Sequence, residues 1–201
     1  MRLATPMKSG SYSKEEASVA SAYMPLPEEA RRLCERLRAS PRLVAHLTLV
    51  HDVACRLMER LRAAFPDFPF DADRVAFGAA THDLGKTRLA AELFDAGDSH
   101  QVAGRALLRK LGVPKDRARF AFTHGNWDDP SIQNEDLIVA LADKIWKSKR
   151  IAKLENRAVD AITRSSGRDR WQVSAEFDAI VEELASEADT RLAWLDQFRG
   201  G

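Results

Sequence analysis

The residues best equipped for chemistry stand side by side in Ala80-Thr81-His82-Asp83-Leu84-Gly85-Lys86. A neutral imidazole and an ionised carboxylate are both metal ligands. Adjacent side chains on a helix point about 100° apart, so His82 and Asp83 converge on one ion only where a helix ends. The apolar approach Val75-Ala76-Phe77-Gly78-Ala79-Ala80 supplies such a helix, and Gly85 is a residue type that ends one. A second doublet, His51-Asp52, lacks this setting and reads as solvent-facing.

Other potential ligands lie on further apolar stretches. His46 falls on the stripe Leu43, Leu47, Val50, Ala54, Leu57, Met58 and Leu61. Five residues along a helix rotate by about 500°, which leaves His51 about 140° away from His46, so the two cannot share an ion. His100 sits in the first turn of another helical pattern, and Gly104 one turn later leaves room for close approach. His124 ends the stretch that begins after Pro114. Asp143 interrupts an apolar face in Leu141-Ala142-Asp143-Lys144-Ile145. A buried carboxylate must have a partner, either a metal ion or a salt bridge. Each histidine alone also fits a hydrogen-bonded core residue. The order and spacing of the whole set point to a metal.

The elements that must position these groups all read as helices. Periodicity predicts helices over about 28–39, 41–64, 74–84, 87–94, 100–111, 115–124, 135–165 and 170–198, with a short one over 14–23. Prolines and glycines punctuate them, and no alternating strand pattern or internal repeat occurs. An all-α fold follows. The two long C-terminal helices can pack as an antiparallel hairpin or form a homodimer face.

Composition narrows the function classes. The chain has 201 residues, 45% hydrophobic and 30% charged, which suits one globular domain. A net charge of +1 argues against non-specific nucleic-acid binding and a polybasic membrane anchor. Cys34 and Cys55 read as free thiols of a reducing compartment. Residues 1–10 lack the apolar core of a signal peptide, and no apolar run approaches the roughly 20 residues that span a bilayer. A cytoplasmic location is expected.

The set His46, then His82-Asp83-Leu84-Gly85-Lys86, then Leu141-Ala142-Asp143-Lys144 resembles the HD-domain superfamily of metal-dependent phosphohydrolases over about residues 40–155. Ser99-His100, with Gly104, and Phe122-Thr123-His124-Gly125 are similar to the two extra histidines of its dinuclear branch. The Gly-Tyr-Pro signature of the cyclic-di-GMP branch is absent after Gly125. The resemblance implies a small stand-alone helical bundle of the HD type: an arm over 1–26, the HD domain over 27–166 and a C-terminal helix over 167–201 packed on it.

The resemblance also implies roles. His46, His82, Asp83 and Asp143 would hold one divalent ion, and His100 and His124 a second, with Asp83 bridging. Such donors suit Fe, Mn, Mg, Co or Ni. The expected reaction is attack of a metal-activated hydroxide on a small phosphoester, most plausibly a nucleotide or dinucleotide. Asp83 and Lys86 would be catalytic, with Lys86 neutralising a phosphate oxygen. Lys147 and Arg150, from the basic run after Asp143, and Trp127, in the loop after His124, are candidate substrate contacts. A solvated face for the lysines and arginine, and a core-edge plug for Trp127, are the competing readings. An HD-type di-iron oxygenase uses the same ligands, and a non-catalytic nucleotide-binding module is the third alternative.

Overall fold

In the computed structural model, residues 22–88 and 99–198 are described. The chain forms α1 (Glu28–Leu37), α2 (Pro41–Ala64), α3 (Ala72–Thr81), a 3₁₀ turn (Leu84–Arg88), α4 (Ser99–Lys110), α5 (Lys115–Ala118), α6 (Phe120–Thr123), α7 (Asn134–Ile145), α8 (Ala152–Ser166), α9 (Arg170–Ala185) and α10 (Ala188–Asp196). Among the described residues there is no strand, and the fold is an all-α helical bundle. The expected helix over 14–23 falls almost wholly outside the described residues, as does most of that over 87–94.

Local signals explain the main boundaries. Ser40 caps α2 by accepting the Leu43 N–H, and Pro41 occupies the first turn, where a missing N–H is harmless. Asp71 caps α3 by accepting the N–H groups of Asp73 and Arg74. Gly167 ends α8 in the left-handed conformation, with φ +63°.

Three expected long helices are broken. The pattern over 135–165 is interrupted after Ile145: the Ser148 N–H bonds to Ile145 O at 2.9 Å and the Lys149 N–H to Lys144 O at 3.0 Å. Ser148 takes a left-handed φ of 55° to close this termination motif. The apolar spacing runs straight through the break because α7 and α8 pack on each other and share one core. The stretch over 115–124 divides at Arg119, and that over 170–198 divides at Ser186-Glu187.

The long α2 is the central post. It packs against α3, α7, α9 and α10, and α8 lies against α7 and α9. Its inner face joins Leu49, Val50, Val53, Ala54, Leu57 and Leu61 to Leu137, Ile138 and Leu141 of α7 and Phe177 and Val181 of α9. A second apolar cluster joins Leu43 and Leu47 of α2 to Phe77, Leu84, Leu108, Ala118 and Ala121. Burying such side chains stabilises the fold by about 1.5–3 kcal/mol each.

The other face of α2 differs from expectation. His51 and Asp52 are not solvent-facing: they are 5% and 6% exposed. The chain before α1 reaches this face at Met24, and α10 packs on α2. The Met24 N–H donates to Asp52 Oδ1 at 3.0 Å, and Tyr23 meets Trp194 edge-on with ring centroids 4.9 Å apart. A periodicity reading of α2 alone cannot see this cover, because it comes from segments distant in sequence. No helix among the described residues is long and apolar enough to cross a membrane.

Candidate metal centre

Helix α3 ends at Thr81, so His82 and Asp83 stand on successive residues of a turn. The His82 N–H still bonds to Gly78 O at 2.9 Å, and the Lys86 N–H bonds to Asp83 O at 3.0 Å as the 3₁₀ turn begins. That change of helix type is what lets adjacent side chains turn toward one point.

Gly85 plays a different part from the expected helix stop. Among the described glycines only Gly112 and Gly167 have positive φ. Gly85 instead permits contact: a Cβ there would lie 2.0 Å from His100 O and 2.8 Å from Gly104 N. The missing side chains of Gly85 and Gly104 bring α4 against the 3₁₀ turn, and so bring His100 to Asp83.

Six expected side chains meet here: His46 from α2, His82 and Asp83 after α3, His100 from α4, His124 after α6 and Asp143 from α7. Asp83 uses its two oxygens on two sides. Oδ2 lies 3.0 Å from His46 Nε2 and 3.5 Å from His82 Nε2. Oδ1 lies 3.1 Å from His100 Nε2 and 3.5 Å from His124 Nε2. Asp143 Oδ1 approaches His82 Nε2 at 3.6 Å and His46 Nε2 at 4.0 Å. Donor atoms each about 2.0–2.2 Å from one cation stand about 3–3.5 Å from one another, the spacing most of these pairs show.

The histidine tautomers fit the same use. His82 Nδ1 donates to Ala79 O at 2.8 Å and His124 Nδ1 to Phe120 O at 3.0 Å. A carbonyl only accepts, so both Nδ1 atoms carry protons and the Nε2 atoms face the carboxylates, as in metal-ligating histidines. His82 is fully buried, and its Nε2 makes no hydrogen bond. Two overlapping groups, His46-His82-Asp143 and His82-Asp83-His124, each place ligand atoms within 4.8 Å of one another. The donor set fits divalent cations.

Electrostatics without a cation show what the site demands. Burial raises the pKa of Asp83 and Asp143, but the histidines and lysines around them outweigh it, so both are held well below the usual carboxylate range. Burial lowers the pKa of His82, yet Asp83 and Asp143 overcome it and hold it up at about 9. His124 is pushed down to about 4 by burial and by the charge on His82. His46 is lowered by burial, against the pull of Asp83. A proton on His82 thus stands where positive charge is wanted, and a cation can replace it.

The expected substrate contacts divide. Lys86 Nζ lies 2.8 Å from Asp83 Oδ2, at the rim, with its side chain about one-fifth exposed. Lys147 is half-buried and close enough that Asp143, Lys144, Asp83 and Lys86 all bear on its charge. Arg150 belongs elsewhere: its guanidinium pairs with Glu155 of α8 and with Asp178 and Glu182 of α9. Three carboxylates hold it against α8 and α9, away from the His/Asp cluster's lysines. Trp127 packs half-buried at the edge of the main core, with Lys153 5.8 Å above its ring. That placement matches the plug reading.

Three residues position the ligands; Lys144 stands in the motif around Asp143, whereas Asp136 and Gln101 were not singled out from the sequence. Lys144 Nζ donates to Asp143 Oδ2 at 2.6 Å and leaves Oδ1 toward the histidines. Buried Asp136 accepts from Thr123 Oγ1 at 2.7 Å and pairs with Arg119 at 3.0 Å, which fixes the residue before His124 to α7. Gln101 Oε1 accepts from Asn126 Nδ2 at 2.6 Å, and its amide fills the space a side chain on Gly125 would need. Gln101 follows His100 and Gly125 follows His124, so this contact spaces the two imidazoles. The clue to Gln101 and Gly125 was adjacency to a ligand; Asp136 carried no distinguishing signal.

The HD-domain family model matches residues 43–146, from the start of α2 to the end of α7, which is half of the chain. The chain belongs to the HD-domain family. The matched span holds all six clustered side chains and omits α8, α9 and α10. No curated protein and no solved structure matches the chain. HD domains bind divalent metals and are generally hydrolases, and this His/Asp cluster is suited to such ions.

Proposed function

We propose that this HD domain is a metal-dependent phosphohydrolase that uses two divalent cations on a small phosphoester, a nucleotide or dinucleotide. The supporting observation is Asp83. One oxygen faces His46 and His82 and the other faces His100 and His124, which is how a carboxylate shared between two cations is set. His46, His82, Asp83 and Asp143 would hold one cation, and His100, His124 and Asp83 the other. When bound, such cations supply Lewis acidity toward a phosphoryl oxygen and lower the pKa of water.

The chain's own groups do the rest. The carbonyls of Ala79 and Phe120 keep the His82 and His124 rings oriented. Lys144 pins Asp143 in a fixed rotamer. Lys86, anchored on Asp83 at the rim, presents an ammonium that can neutralise a phosphoryl oxygen as negative charge grows on it. Burial of the cluster excludes bulk water and strengthens each of these interactions.

The test is phosphate release. Purified protein, stripped and then supplied singly with Mn²⁺, Fe²⁺, Co²⁺, Ni²⁺ or Mg²⁺, should hydrolyse members of a panel of nucleotides, dinucleotides and simple phosphoesters. A silent panel with folded, metal-loaded protein would overturn the proposal.

A further inference from the structure

We propose that Lys144 and Lys147, at the end of α7, form a second anion subsite beside the metal centre, and that the substrate therefore carries two linked phosphoryl groups rather than an isolated one. This inference rests on the phosphohydrolase reading for its chemistry, but its binding claim can be tested apart from it.

Lys86 leans on Asp83 at 2.8 Å and Lys144 on Asp143 at 2.6 Å. Those two carboxylates share His82 Nε2, at 3.5 and 3.6 Å. Lys147, three residues after Lys144, adds a third ammonium over the ring of Trp146, which itself packs on His46. Among the described residues, two carboxylates stand against three ammoniums here, a positive balance before any metal is counted. Divalent cations would make it far more so. A phosphomonoester dianion held by the cations and Lys86 leaves the charge of Lys147 unmatched.

The placement of Lys147 is not that of an idle surface lysine. It is half-buried although burial and Lys144 both work against its charge. Among the described residues no carboxylate lies within 4.0 Å of its ammonium, which sits 5.3 Å over the ring of Trp146. Trp146 is itself buried and packs edge-on to His46, with ring centroids 5.2 Å apart. One aromatic ring thus connects the lysine to a candidate metal ligand. Arg150, three residues on, makes the contrast: its charge is fully answered by three acids. The left-handed turn at Ser148 ends α7 and separates the two, leaving Lys147 on the side of the cluster. Lys144 is answered by Asp143 alone and Lys147 by no carboxylate among the described residues, so a second anionic group finds positive charge here. A diphosphate places its second phosphoryl group one bridging oxygen from the first, next to the metal centre, where Lys144 and Lys147 stand.

The experiment uses Mn²⁺-loaded protein freed of excess ion, with bound metal assayed after each titration, so that the site for the first phosphoryl group is present. Methylenediphosphonate, a non-hydrolysable diphosphate, and orthophosphate are titrated calorimetrically into wild type, Lys147→Gln, Lys147→Arg and Lys149→Gln. Lys149 is the exposed neighbour and controls for general basic charge. Wild type should bind the diphosphonate at least tenfold more tightly than orthophosphate. Lys147→Gln should lose at least fivefold of the diphosphonate affinity and less than twofold of the orthophosphate affinity. Lys147→Arg should restore most of the loss, and Lys149→Gln should change neither. Equal affinity for the two anions in wild type, or an equal loss in Lys149→Gln, would overturn the subsite. Phosphate release from a monoester with no diphosphonate preference would leave the hydrolase reading standing and remove this one. Lys147-dependent diphosphonate binding with no turnover on any ester would do the reverse.

Discussion

Replacing Gly85 with alanine is the sharpest probe of how the second half of the centre is built. The added Cβ would lie 2.0 Å from His100 O, 2.8 Å from Gly104 N and 2.9 Å from Gly104 Cα. All three are backbone atoms, so no rotamer change relieves the clash, and α4 must withdraw from the 3₁₀ turn by about 1 Å or more. His100 Nε2, now 3.1 Å from Asp83 Oδ1, moves with it. Overpacking of this kind costs about 1–3 kcal/mol of stability. A displacement of about 1 Å at a catalytic site costs on the order of 10²-fold in rate. Gly85→Ala should therefore bind one cation fewer than wild type, lose about 10²-fold in phosphate release and melt several degrees lower. Gly104→Ala is the graded comparison, since its Cβ would meet Ala121 Cβ and Gly85 at 3.2 Å, which a shift of a few tenths of an ångström relieves. Metal analysis, steady-state kinetics and thermal unfolding on the two variants read these effects. Full metal content and wild-type kinetics in Gly85→Ala would refute the reasoning that backbone contact at this glycine places His100.

Three further outcomes are expected. Asp83→Ala removes the shared carboxylate and the anchor of Lys86, so it should strip bound metal and reduce turnover by more than about 10²-fold, as metal analysis and phosphate release would show. His51→Ala should leave metal content and turnover unchanged. It should nevertheless lower stability by about 1–3 kcal/mol in denaturant melts, because the ring is buried. Metal loading should release a proton and strengthen as pH rises toward 9, by up to about tenfold per unit, because burial is outweighed by Asp83 and Asp143 and His82 is held up at about 9. For metal-free protein the sign follows from a raised pKa. The stability from the His82 imidazolium is complete below its ordinary value of 6.5 and is lost as pH rises through about 9. Mn²⁺ titrations in weak buffer between about pH 6 and 8 would contradict this if affinity were flat and no proton appeared.

Much of the fold and the cluster was legible in residue order. Helical spacing marked α2, α3 and α7, and the doublet at a helix end announced where two ligands could converge. Asp143 gave itself away as a carboxylate in an apolar run. What escaped was set by long-range packing. The stripe of α7 continues in register into α8, so nothing in the periodicity marks the left-handed turn at Ser148. His51 sits on the face of α2 opposite His46, beside Asp52, which the Met24 N–H binds from far away along the chain. Gly85 looked like a terminator because that is the commoner use of glycine after a helix. Its actual constraint is a carbonyl brought by α4. Arg150 looked like part of a basic run until α9 supplied Asp178 and Glu182.

Counting bound cations decides whether the six side chains act as one centre. Metal-stripped protein is equilibrated with Mn²⁺, freed of excess and analysed for metal per chain, alongside His100→Ala. Two ions per chain in wild type and one in His100→Ala are expected, since the Oδ1 side of Asp83 would lose a ligand while the Oδ2 side keeps His46 and His82. No stoichiometric metal in wild type, or an identical count in the variant, would contradict it.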